Sequence, residues 1–317
     1  MKIFVTGSTG FIGQHLIKAL LAEGHEVHFL LRDKNKAGLF SNEKAIPHIG
    51  SLENIESYRE IFNQNIEVVY HLAAIPGQKW GFRKKDYDEL NTKATERLIK
   101  ACYGKIKRFI FTSSINAISD NQFRRDDYGK SKKRAEEFIQ SFPNKEWSAV
   151  ILRPAVVYGP QDTQGLMLKL CRLIKRKKFY FLGSGRNVLP FVYISDLVSA
   201  FLKAKNASPA AGPYEIIGPD LPTFQEAVTQ IASHLKAELP RINISLWLAR
   251  PAALFSESVA WLLKTEPLIT QHRVDIITRH KPLGYQKAQR ELGYNPKIIF
   301  SEGIKKTIEW YQKNGYL

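Results

Sequence analysis

Short runs of β-branched and apolar residues alternate with longer stretches of helical periodicity as far as Tyr158-Gly159-Pro160. The strand candidates are Lys2–Thr6, Glu26–Leu31, Ala45–Ile49, Glu67–Ala73, Arg108–Ser113 and Trp147–Arg153. Helical patterns lie between them over 11–23, 53–63, 84–103 and 128–142. Strands alternating with helices of this length predict βαβ units and a parallel sheet covered on both faces. The class is α/β, doubly wound, with ligands at the carboxyl ends of the strands. Past Pro160 the rhythm changes: Phe191–Ile194 and Tyr214–Ile217 read as strands, and 163–177, 195–205, 223–237, 246–263 and 301–313 as helices. There is no internal repeat and no low-complexity linker.

Composition alters this picture only through charge. The 317 residues are 44% hydrophobic and 24% charged, ordinary values for a soluble globular chain. No run approaches the roughly 20 apolar residues of a spanning helix. The N-terminus does not read as a signal peptide, because Thr6-Gly7 soon follow the apolar residues after Met1-Lys2. Cys102 and Cys171 have neither disulfide-framework nor metal-ligand spacing. That pattern predicts no metal site and points to the reducing cytoplasm. The net charge of +17 favours anionic partners such as phosphorylated ligands, nucleic acid or an acidic membrane face. Its densest run, Arg172, Lys175, Arg176, Lys177 and Lys178, ends a helical pattern, where cations complement the helix dipole. A solvated helix end and an anion patch are the two readings of that run. No nucleic-acid module accompanies it, so nucleic acid is not the expected partner.

The candidate chemistry begins at Thr6-Gly7-Ser8-Thr9-Gly10-Phe11-Ile12-Gly13, which follows the first strand and opens the first helix. Gly7, Gly10 and Gly13 permit a tight turn, close backbone approach to a pyrophosphate and close helix–strand packing, while the helix N-terminus favours negative charge. The strand–turn–helix context makes this a dinucleotide loop. At the end of the second strand stands Leu30-Leu31-Arg32-Asp33. An acidic residue there would take the ribose hydroxyls of NAD, whereas the Arg32 guanidinium suits a 2′-phosphate. NADP is the expected cofactor, with NAD open because Asp33 could turn inward.

Tyr128 and Lys132, four residues apart, share a helix face. A nearby Lys132 ammonium together with an oxidised nicotinamide would favour the phenolate, which predicts a Tyr128 pKa lowered toward working pH for proton exchange with a substrate oxygen. Ser114, at the end of the fifth strand, is placed to orient that oxygen, with Ser113 as a fallback. Tyr103 and Lys107 have the same spacing, but Gly104 breaks the helix between them, so they read as a helix end and a loop.

These segments resemble the extended short-chain dehydrogenases/reductases, the NAD-dependent epimerase/dehydratase superfamily. The resemblance runs through the glycine loop, His71-Leu72-Ala73-Ala74, Asn91–Thr95, Phe111-Thr112-Ser113-Ser114 and Tyr128/Lys132. It continues through Leu152-Arg153-Pro154, Val157-Tyr158-Gly159-Pro160, Phe191–Asp196 and Leu292–Pro296. It implies a Rossmann-type dinucleotide domain over 1–158 with 191–218, and a smaller, mostly helical substrate domain over 159–190 with 219–317. It places Asn91 with the catalytic group and has Lys132 bind the nicotinamide ribose. Cofactor contacts are implied at Thr9, Phe11, Ile12, Leu52, Leu72, Ala73, Ala74, Ser113, Pro154 and Val157. Ser51 stands where the family often has an acidic residue contacting adenine. The resemblance also implies a homodimer.

Departures from the family narrow the reaction. Ser114 is followed by Ile115-Asn116 rather than the Asp-Glu of sugar 4,6-dehydratases. Val156 and Leu189-Pro190 replace polar groups that help nucleotide-sugar enzymes hold the sugar diphosphate, although Arg186, Arg273 and Arg279 could compensate. The chain is closer in these details to relatives resembling 3β-hydroxysteroid dehydrogenases and dihydroflavonol reductases. The expected activity is reversible conversion of a secondary alcohol to a ketone on a small-molecule substrate. A nucleotide-sugar 4-epimerase or 4-ketoreductase is the alternative, and a non-catalytic dinucleotide sensor a further one. Trp80, after the fourth strand, and Arg186 are candidate substrate contacts. Segment 242–263, rich in Leu, Ala and aromatics, has three readings: core helix, apolar lid over a hydrophobic substrate, or interfacial membrane contact.

Overall fold

A computed structural model describes residues 1–118, 126–142, 147–207, 212–240, 243–265, 267, 269–271, 274–275 and 283–317. The chain forms two compact units, one of Met1–Pro154, Leu197–Ile216 and Gly284–Asn295, the other of Ala155–Asp196, Ile217–Leu283 and Pro296–Leu317.

The first unit is built on a seven-stranded parallel sheet. Its strands are β1 (Lys2–Thr6), β2 (Glu26–Leu31), β3 (Ala45–Ile49), β4 (Val68–His71), β5 (Arg108–Thr112), β6 (Ser148–Pro154) and β10 (Tyr214–Ile216), in the order β10-β6-β5-β4-β1-β2-β3. The central strands are near-continuous apolar runs, such as Ile3-Phe4-Val5 and Phe109-Ile110-Phe111, buried completely. That is the expected pattern for a parallel sheet covered on both faces. The order reverses between β1 and β4, which pair in register with Thr6 opposite His71. Strand carboxyl ends at such a reversal are where doubly wound sheets bind ligands. The doubly wound, Rossmann-type fold is thus as expected.

The helices depart from expectation where side chains compete for the backbone. Helix α1 (Phe11–Ala22) matches its pattern. The pattern over 53–63 instead gives two short 3₁₀ turns, Ile55–Ser57 and Arg59–Asn63. There Ser57 Oγ donates to the Asn54 carbonyl at 2.6 Å and accepts from Ser51 N at 3.2 Å, offering the chain a local alternative to a helix. The pattern over 84–103 divides into α2 (Lys84–Tyr87), a π-helical turn Asp88–Lys93 and α3 (Ala94–Cys102). Helix α4 (Asp127–Ser141) is capped by Asp126, which accepts from Gly129 N at 2.7 Å. Gly284–Asn295, expected with the second part, belongs to the first unit. Its helix Gln286–Leu292 holds Tyr214 of β10 through Glu291 at 2.7 Å.

The second unit contains α5 (Leu166–Lys175), α7 (Phe224–Leu235), α8 (Leu246–Leu263) and the helix Phe300–Lys313. It also holds two small parallel pairs, β7 (Val156–Tyr158) with β9 (Phe191–Tyr193), and β8 (Phe181–Leu182) with β11 (Asn243–Ile244). Helix α6 (Ile194–Ala204) has residues in both units. Strands β7, β8 and β11 are too short for a periodicity to reveal. Arg273 and Arg279 lie outside the described residues.

Candidate active site

Three strand ends meet at the carboxyl edge of the sheet, and the glycine loop is fitted to one of them. Gly7 has φ +76°, and a Cβ there would stand 2.8 Å from Ala73 N. A Cβ on Gly13 would meet the Gly7 carbonyl oxygen at 2.2 Å. The loop therefore packs backbone to backbone in a way no larger residue permits. Ser8 Oγ ties it to the end of β2 by donating to the Leu30 carbonyl at 2.6 Å. Gly10 caps α1 with no side-chain bond, and the first turn carries no acid. Its free N–H groups and positive dipole end thus suit an anionic diphosphate. Thr9 and Gly10 are exposed, and Phe11 and Ile12 half-buried, on the same turn.

Helix α4 carries the proton-transfer candidates. Lys132 is buried, donates to the Thr112 carbonyl at 2.7 Å, and lies 4.7 Å from the Phe111 ring centre. Burial holds its ammonium down to about 7, with the Glu136 carboxylate opposing the shift. Burial also pushes the Tyr128 phenol up to about 12, while hydrogen bonds from Ser114 and Gly77 N pull it back. In the protein without cofactor desolvation outweighs the neighbours; the expected lowering belongs to the state with oxidised nicotinamide bound. Ser114 lies near enough to the phenol to draw its pKa down. Ser113 does not: its hydroxyl turns the other way, to the Glu136 carboxylate, which also takes Arg153 Nε at 2.8 Å. The strand alternation that sends Ser113 into this buried cluster leaves Ser114 on the site side.

A directed chain of hydrogen bonds supports these groups. Ala73 N–H donates to Thr6 Oγ1 at 3.2 Å, and Thr6 Oγ1 is 2.7 Å from His71 Nδ1. His71 Nε2 is 2.9 Å from Thr95 Oγ1, which donates to the Asn91 carbonyl at 2.8 Å. A carbonyl only accepts, so the Thr95 proton is committed, and His71 must donate from Nε2 and accept at Nδ1. Burial keeps the ring neutral by lowering its pKa to about 3, and the Lys132 charge adds to that shift. Asn91, expected beside the catalytic group, uses its amide within the protein. It accepts from Ile75 N at 2.8 Å and donates to Ser131 Oγ at 3.0 Å, and Ser131 Oγ donates to the Tyr128 carbonyl at 2.8 Å. Asn91 thus ties the π turn to the helix bearing Tyr128.

The remaining candidates are spread more widely. Arg32 is exposed, whereas Asp33 turns back to accept from Asn35 N at 3.0 Å. Ser51 accepts from Asn54 N at 3.3 Å, Leu52 is buried beside it, and Leu72 and Ala74 are half-buried after β4. Trp80 is exposed on a loop held by Tyr87, whose hydroxyl donates to Gly77 O at 3.0 Å and accepts from Lys79 N at 2.8 Å. Pro154 ends β6 in the first unit, while Val157 and Arg186 belong to the second. Tyr103 ends α3, and Lys107 pairs with Glu67 at 2.9 Å, a helix end and a loop as their context suggests. Sequence reasoning missed Glu136, Ser131 and Thr6. Glu136, four residues beyond Lys132 on the same face, was the one with a readable signal. Among the described residues no group of acids, histidines or cysteines could hold a metal ion.

Sheet order, glycine loop and the tyrosine–lysine helix together define an extended short-chain dehydrogenase/reductase. The chain belongs to the NAD dependent epimerase/dehydratase family, whose model matches residues 3–217. It is 26% identical to the decarboxylating sterol-4-alpha-carboxylate 3-dehydrogenase of Saccharomyces cerevisiae, over 98% of this chain and 97% of the yeast protein. It is 25% identical to the 4-hydroxy-2-methyl-3-oxo-4-farnesyl-3,4-dihydroquinoline-1-oxide ketoreductase of Stigmatella aurantiaca, over 96% of this chain and 95% of that one. In fold it matches a UDP-glucose 4-epimerase of Thermotoga maritima with TM-score 0.79 and 24% identity, over 99% of each chain.

Proposed function

We propose that the protein is an NADP(H)-preferring reductase of an apolar ketone, running reversibly as a secondary-alcohol dehydrogenase. The observation that carries this is Tyr128 set against Ser114 at the sheet edge, with Lys132 one turn along the same helix, beside a loop fitted for a dinucleotide. A nicotinamide cofactor bound there supplies the hydride for reduction or accepts it for oxidation. Ser114 orients the substrate oxygen, and Tyr128 gives it a proton. With its pKa near 12 the phenol is protonated around neutrality, the form that ketone reduction requires. Lys132, buried one turn along the same helix, binds the nicotinamide ribose in this reading.

The exposed Arg32 guanidinium at the end of β2 supports NADP over NAD. An apolar substrate is supported by Val156 and Leu189-Pro190, where diphosphate contacts are lacking, and by relatives named for sterol and farnesylated substrates. A cytoplasmic location is part of the proposal and rests on two buried, free cysteines. So is a homodimer, supported by the family resemblance and testable by sedimentation equilibrium.

The test is NADPH-dependent reduction of a panel of apolar ketones by wild type and Tyr128→Phe. Wild type is expected to turn over. The variant should lose about 10²-fold or more in rate while keeping its NADPH affinity, since general acid–base catalysis contributes on that scale. Undiminished activity in the variant would refute the role of Tyr128. Tightly retained NAD with sugar-nucleotide epimerisation would replace the reading with a 4-epimerase, and normal cofactor binding without either activity would make the protein a sensor.

A further inference from the structure

Helix α8 is seated on the second unit by its smallest side chains and turns its largest outward. Ala249 and Ala253 are buried against Leu182 and Val274, and Ala260 is buried on the same face. On the other side, Trp247 is 81% exposed, Phe255 72% and Trp261 76%. Trp247, Leu254 and Trp261 form one row at seven-residue spacing, and Leu248, Phe255 and Leu262 the adjacent row. All six are exposed. The core-helix reading of this segment therefore fails, because the bulk of its apolar surface is not in the core. The 18 residues extend about 27 Å. Among the described residues no helix is long and apolar enough to cross a membrane.

We propose that α8 seats the protein on an anionic lipid surface. Tryptophans near both ends of the helix suit the boundary between headgroups and acyl chains, where an apolar ring body and a polar N–H both find partners. The one acid of α8, Glu257, is turned to the protein and accepts from Gln271 N at 2.8 Å. Arg250 and Lys264 are exposed on and just after the helix. The basic run Lys175–Lys178 is exposed and leads into β8, whose partner β11 leads into α8. The exposed cations on and beside α8, with the +17 balance of the chain, are complementary in charge to an anionic bilayer.

The test is co-sedimentation of the full chain with phosphatidylcholine vesicles, with and without phosphatidylglycerol, at rising salt. Wild type is expected to pellet with the anionic vesicles and to be released by salt. The Trp247→Ser/Phe255→Ser/Trp261→Ser variant should partition about tenfold less or weaker still, because interfacial binding scales with buried apolar area. Brominated lipid should also quench wild-type tryptophan emission, a measurement independent of how the variant folds. Failure to pellet, or no quenching, overturns the proposal, as does equal pelleting of the variant. A wild-type dimer that the variant abolishes, without vesicle binding, assigns the face to a second copy.

Discussion

Arg32 and Asp33 are adjacent and oppositely charged, and local backbone chemistry decides which can face a cofactor. Asp33 caps the 3₁₀ turn Lys34–Leu39 by accepting from Asn35 N at 3.0 Å. That bond engages one oxygen of the carboxylate and turns it toward the following turn. Arg32 remains exposed, with five donors in a fork that matches a phosphate. Charge-assisted hydrogen bonds contribute about 1.5–3 kcal/mol. Arg32→Asp is therefore expected to weaken NADPH binding about tenfold or more and to leave NADH binding nearly unchanged, as read by fluorescence titration of each. Equal losses for the two would mean that Arg32 does not contact the 2′-phosphate. The sequence announced the arginine but could not say what Asp33 does, because a cap depends on the turn that follows it. The same holds for Ser113 and Ser114, adjacent serines just past β5 that differ in the side to which they turn.

At the scale of elements, the His71 chain links the ends of β1 and β4 to the π turn, and Asn91 with Ser131 continues that link to α4. The strands of the seven-stranded sheet and most helices were legible because apolar periodicity survives in the sequence. The π turn was not, since it arises from Thr95 and Asn91 redirecting backbone and amide bonds inside a pattern that reads as unbroken helix. This link makes a stability prediction. Burial lowers the His71 pKa from 6.5 to about 3. Between those values the unfolded chain binds a proton that the folded chain refuses, so stability falls as pH drops through the window. Lys132, lowered to about 7, titrates above it and does not confuse the comparison. His48 contributes in part of the same range, being held down to about 4 by burial. His71→Gln should therefore flatten, without abolishing, the decline in thermal midpoint between about pH 6.5 and 4, a window worth up to a few kcal/mol. Parallel slopes for variant and wild type would show that His71 is not held neutral by the fold.

At the scale of the whole molecule, charge, apolar helix and proposed substrate class answer one physical problem. An apolar ketone is scarce in water and abundant in lipid, so an enzyme that acts on it gains from residing where it is dissolved. The +17 charge draws the protein to an anionic surface, and α8 holds it there. The sequence showed both features but not their relation, because only the fold reveals that α8 buries alanines and exposes tryptophans. Surface residence raises the effective concentration of substrate without a new contact in the site. A long-chain ketone dissolved in phosphatidylglycerol vesicles should thus show an apparent KM lower by about tenfold for wild type than for the Trp247→Ser/Phe255→Ser/Trp261→Ser variant. A short water-soluble ketone should show the same kcat/KM with both proteins, since Tyr128, Ser114 and Lys132 are untouched. If both substrates respond alike to the variant, α8 acts on the catalytic machinery rather than on access to the membrane.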